Sequence, residues 1–168
     1  MQHISVLKTI TDILFILFLI PIIFGIPFII MYTVVPDMIP FDVSVKNEDL
    51  QMASHNGRIL FLILTYIVYI IDVYALYVFR EIMKLFTKKI FFSERISTGF
   101  SLIGKLIITS YILYITGSFF LRMFTIQRFS FQIDLSILYA LGIGYFFIVL
   151  GSIFKKAKEI KEENELTI

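Results

Sequence analysis

Four long apolar runs, separated by short charged stretches, divide the chain: residues 13–35, 59–79, 102–121 and 135–154. Each has the roughly 20 residues a helix needs to cross a bilayer core. The first and fourth carry no charge, the second contains Asp72, and the third has Lys105 near its start. The first run is longer than the roughly 7–15 residues of a signal-peptide core, and no small-x-small cleavage site follows it, so it reads as an uncleaved anchor. The pattern predicts an all-α membrane protein: one domain over residues 1–168, built as a bundle of four transmembrane helices.

The segments between the runs have patterns of their own. "FDVSV" alternates apolar and polar residues, with Phe41, Val43 and Val45 on one side. "RFSFQID" does the same with Phe129, Phe131 and Ile133. Alternation is a strand signal, so these segments predict a small β cap over the helix ends. The competing reading places the aromatics in the interfacial belt. Between the second and third runs, "REIMKLFTKK" sets Arg80, Lys84 and Lys88 on one face of a helical extension, suited to anionic headgroups. In "FFSERI", Ser93 is an N-cap candidate and Glu94 falls in the first turn of the next helix. The tail pairs Lys155–Glu159, Lys158–Glu162 and Lys161–Glu165 at i,i+4, predicting that the fourth helix continues into water.

Polar and small residues inside the runs are the candidate sites. An acid in a membrane span costs a few kcal/mol on insertion scales and so marks a site. Thr65, Tyr69 and Asp72, spaced by four and three, form a stripe on the second helix. Asp72 lies eight residues, about 12 Å, from Arg80. Thr109 and Ser110 on the third helix fall at similar depth, and the two stripes are expected to meet. Asp72 there serves either as inter-helix glue, bonded to Tyr69, Thr109, Ser110 or Lys105, or as a proton- or substrate-handling group. Ala140, Gly144 and Gly151 share one face of the fourth helix, the small-xxx-small pattern of close helix approach, within the bundle or in a homo-oligomer. Pro21 and Pro27 predict a kink in the first helix.

Composition sharpens this picture. Hydrophobic residues make up 58% of the chain, charged residues 17%, and mean hydropathy is +0.90, against about 45–50% and 25% in soluble domains. Eleven of the fifteen Lys and Arg flank the runs on the side of both termini and the middle loop. The positive-inside rule therefore places both termini, the loop at 80–101 and the tail at 155–168 in the cytoplasm. A net charge of +2 gives no basis for direct nucleic-acid binding. There is no cysteine, and His3 and His55 stand in no ligand spacing, so neither a thiolate chemistry nor a metal site is expected. No phosphate loop and no nucleophile motif occurs; no catalytic residue and no cofactor is implied, and the chain is not expected to be an enzyme.

The order of features resembles the bacterial membrane family known as domain of unknown function 2975, over nearly the whole chain. The resemblance rests on Phe92, Ser93, Glu94, Ile103 and Gly104 in "FFSERISTGFSLIGK", with Phe91 where the family commonly has proline, and on Glu163, Glu165, Leu166, Thr167 and Ile168 in the ending. It implies a four-helix bacterial inner-membrane protein without established activity. Genes of the family often neighbour one for a small helix-turn-helix regulator, which implies a cytoplasmic partner. Two readings follow. In the first, Phe92, Ser93, Glu94, Glu163, Glu165 and Leu166, Thr167, Ile168 bind that soluble partner in a regulatory or scaffolding role, the ending being held by a carboxylate pocket or a sheet edge. In the second, Asp72 couples a proton or cation in a small transporter or channel.

Overall fold

The computed structural model describes residues 2–35, 54–126 and 135–165. They form four helices: α1 (Gln2–Val34), α2 (His55–Thr87), α3 (Glu94–Ile126) and α4 (Ser136–Glu165). All four are long and apolar enough to cross a membrane, and all the regular structure among the described residues is helical. The segments expected to form a β cap lie outside the described residues.

At 1.5 Å per residue a helix of this length runs about 45–50 Å, well beyond a hydrocarbon core of about 30 Å. The surplus is unevenly placed. Helices α2 and α4 outrun their apolar stretches to Thr87 and Glu165, while α1 and α3 start well before theirs, at Gln2 and Glu94. These four extensions meet at one end of the bundle, here called the turn end because residues 88–93 join α2 to α3 there. Helix α2 stops in a paired-carbonyl terminator. The Lys89 amide donates to the Phe86 carbonyl, the Ile90 amide donates to the Leu85 carbonyl, both at 3.0 Å, and Lys89 itself is left-handed at φ 61°.

Successive helices pack in order, α1 on α2, α2 on α3 and α3 on α4. The packed core sits toward the turn end. Ala75, Ile82 and Met83 of α2 meet Ile96, Phe100 and Ile103 of α3, all buried. Phe100 stacks on Phe154 and Phe147 of α4 at 5.3 and 6.0 Å between ring centroids, and Phe86 lies 5.8 Å from Phe154. Elsewhere large apolar side chains point outward, as expected where lipid is the solvent.

Helix α1 stands apart. Its most apolar stretch buries nothing within the chain. It is helical without a break through Pro21 and Pro27, the two positions at which the sequence predicts a kink. Two of its anchors to α2 lie beside these prolines. The Tyr69 hydroxyl donates to the Phe18 carbonyl at 2.9 Å, in the turn preceding Pro21, and the Tyr66 hydroxyl donates to the Ile22 carbonyl at 2.6 Å. The carbonyls that Pro21 and Pro27 leave without an intrahelical amide are those of Leu17 and Ile23, each next in the chain to one that a tyrosine takes. Gly25 lies against the Tyr66 ring so closely that a Cβ there would overlap it.

Candidate functional site

Of the five residues in the intramembrane polar stripe, two join. The Ser110 hydroxyl donates to Asp72 Oδ1 at 2.6 Å. Ser110 is buried while Asp72 opens to the chain surface. The same hydroxyl lies 3.1 Å from the Ile107 carbonyl. One proton thus faces two acceptors. With Asp72 ionised, Ser110 donates to it; with Asp72 protonated, the carboxyl donates to Ser110 Oγ and the serine turns to Ile107. Neither state leaves a hydrogen bond broken.

The other three depart from the expectation. Tyr69 serves α1, as described, and does not face α3. Three residues on a helix rotate a side chain 60° away from its starting direction, enough to aim Tyr69 at a different neighbour from Asp72. Thr65 and Thr109 are exposed and make no side-chain hydrogen bond among the described residues. Lys105 is exposed too and forms no ion pair among them, so it is no counter-ion for Asp72.

A second charged cluster, at the turn end, was not singled out from sequence. Asp12 of α1 receives Lys8 Nζ at 2.8 Å and Arg80 Nε at 2.5 Å. The Arg80 guanidinium also lies over the Phe15 ring, 5.1 Å from its centroid. The hydrogen bonds from Lys8 and Arg80 hold the Asp12 carboxyl down to about 2, from 3.8. Next to Arg80 in the chain, Glu81 accepts from Lys84 Nζ at 2.6 Å and stands 3.7 Å from Arg95 of α3; the Lys84 bond lowers its pKa. Arg80 and Lys84 are therefore engaged with acids, not arrayed as an open basic face. Asp12 was legible as a partner only through its distance from the apolar run: it directly precedes residue 13, at the same interface as Arg80.

The third group joins the turn to the tail. Lys161 Nζ lies over the Phe92 ring, 5.6 Å from its centroid, and Lys158 stands 3.9 Å from Glu94. Phe92 remains 46% exposed. The end of α4 thus runs beside the turn at Lys158 and Lys161, which were not among the expected binding residues. Ser93 occupies the N-cap position, where its carbonyl accepts from the Ile96 and Ser97 amides, but its buried hydroxyl has no partner among the described residues and caps nothing. The pairs Lys158–Glu162 and Lys161–Glu165 form at 3.5 Å each, while Glu159 takes Lys156 at 3.4 Å instead of Lys155. Glu163 lies on the same stretch of α4; Leu166, Thr167 and Ile168 lie outside the described residues.

The small face of α4 is used within the chain. Gly144 meets Gly104 of α3, and Gly151 meets Ser97 and Ser101, each so closely that a Cβ would overlap backbone or side-chain atoms. Ala140 is half-buried. No group of three or more metal-ligating side chains occurs among the described residues.

Among known proteins, the family described as protein of unknown function (DUF2975) matches residues 9–168. No curated protein matches, and no solved structure does.

Proposed function

The chain belongs to the DUF2975 family, whose function is unknown, and from that premise we propose a non-enzymatic regulatory or scaffolding membrane protein that holds a soluble partner at its turn end. The observation that carries this reading is the composite surface of Phe92, Glu94, Lys158 and Lys161. A large aromatic left half-exposed beside alternating charges, at the end of the bundle that is most firmly packed, is a surface a partner can bury without unfolding anything. In this reading the turn end faces the cytoplasm of a bacterial inner membrane, as the distribution of Lys and Arg favours. The partner is a small helix-turn-helix regulator. The test is retention of that regulator by the detergent-solubilised chain, comparing the full chain, a chain truncated after Glu163, and Phe92→Ser. Retention unchanged in both variants refutes the proposal.

A second reading has its own support in the Asp72–Ser110 pair, which accommodates both protonation states of the acid. In it the chain is a small proton- or cation-coupled transporter or channel. Asp72→Asn discriminates between the two: loss of ion flux in vesicles with intact folding favours this class, whereas altered stability alone favours Asp72 as glue between α2 and α3.

A further inference from the structure

A groove of about 240 Å³ runs between α2 and α3 on the side away from the composite surface. Its lining changes along the bundle axis. At the turn end it is bordered by Glu81 and Arg95, one turn deeper by Tyr77 and Thr98, and deeper still by Tyr74 and Leu102. From Arg95 to Leu102 is about 10 Å along α3. The order is charged, then hydroxylated, then apolar, and Tyr74, Tyr77 and Leu102 are all exposed to the surroundings of the bundle. The charged end is also unbalanced: Lys84 and Arg95 both face the single carboxylate of Glu81, at 2.6 and 3.7 Å. Arg95 remains 70% exposed, so its guanidinium is only loosely committed to Glu81.

We propose that this groove is a binding site for an anionic phospholipid, with the phosphate on Arg95 and an acyl chain lying over Tyr74 and Leu102. The gradient of the groove matches that of a phospholipid in a leaflet: phosphate at the interface, glycerol and ester oxygens beside hydroxyls, hydrocarbon below. The residual single positive charge selects a monoanionic headgroup over a zwitterionic one, whose own ammonium would meet that charge. Arginine suits the phosphate because its fork of N–H donors spans two oxygens. Gly99 lies in the floor of the groove, where a Cβ would approach the flexible end of Ile82 at 2.9 Å and narrow the channel.

The chain contains no tryptophan, so Tyr74→Trp installs a single fluorescent reporter in the groove. The full chain carrying this reporter is placed in phosphatidylcholine vesicles containing either brominated phosphatidylglycerol or, at equal mole fraction, brominated phosphatidylcholine. The expected result is stronger quenching by phosphatidylglycerol. Arg95→Gln should lower the relative affinity about fivefold, the equivalent of about 1 kcal/mol for one interfacial charge. Gly99→Val, which fills the groove without changing charge, should also remove the excess, while Lys156→Gln, at an exposed cation outside the groove, should leave it. Equal quenching by the two lipids overturns the proposal, and is also what a site for free phosphate would produce. An excess that survives Arg95→Gln, or that Lys156→Gln removes equally, overturns it as well.

Discussion

Replacing Gly104 with alanine should separate α3 from α4. A Cβ on Gly104 would overlap the carbonyl oxygen of Gly144 and come within 3.0 Å of the Ile148 amide nitrogen. The reverse holds at Gly144, whose Cβ would reach Gly104 O at 3.0 Å and Ile108 Cγ1 at 2.5 Å. The opposing atoms at Gly104 include backbone, so no rotamer change relieves the overlap and the helices must move apart by on the order of 1 Å. A gap of that size forfeits a quarter to a half of each contact's dispersion energy. In a membrane, packing and polar contacts are what hold helices together. Overpacking of this kind costs about 1–3 kcal/mol. Alanine also gains about 1 kcal/mol over glycine in helix propensity, which would mask part of the loss. Gly142 supplies the control, because a Cβ there meets nothing within 4 Å. Gly142→Ala carries the propensity gain alone, so the difference between the two variants isolates the clash. Reversible unfolding in mixed dodecyl maltoside and sodium dodecyl sulfate micelles, followed by circular dichroism, should place Gly104→Ala about 1–3 kcal/mol below Gly142→Ala. Two variants within about 0.5 kcal/mol of each other would refute the close approach of α3 and α4 at this crossing.

Three further outcomes are expected. Lys89→Gly should raise stability by about 1 kcal/mol, since the left-handed φ of 61° is strained for lysine and free for glycine; unfolding in the same micelles measures it, and no gain would count against the terminator. Tyr69→Phe should cost about 0.6 kcal/mol, typical of an interhelical hydrogen bond in a membrane, and should weaken disulfide crosslinking between cysteines introduced in α1 and α2; undiminished crosslinking would mean that the Tyr69 bond does not help to hold α1. The stability difference between the chain and Asp12→Asn should hold steady from neutral pH to about 4 and vanish as pH falls toward 2, because a carboxyl whose pKa is depressed from 3.8 to about 2 contributes above the higher value and is lost through the lower. A difference that changes instead near neutrality would assign the effect to another group.

The four helices and the meeting of Asp72 with Ser110 were legible in the sequence, for one reason: the bilayer imposes a length. Apolar runs of about 20 residues bounded by charges locate the interfaces, and counting residues inward then sets Asp72 and Ser110 level with each other. The small face of α4 was legible in the same way, since glycines spaced by seven must share a side. What the sequence left open was which helix each side chain would meet. Tyr69 sits three residues from Asp72 and serves α1, a difference of rotation that spacing cannot resolve without knowing where α1 lies. Asp12 and Arg80 are 68 positions apart, and only the docking of α1 on α2 makes them partners. Gly144 and Gly151 could equally have served a second copy of the chain; the crossing with α3 decided that they serve this one. Spacing along one helix determines depth and facing, because both follow from the rise and turn of a single rod, whereas partners depend on how four rods are arranged, and only tertiary packing chooses that.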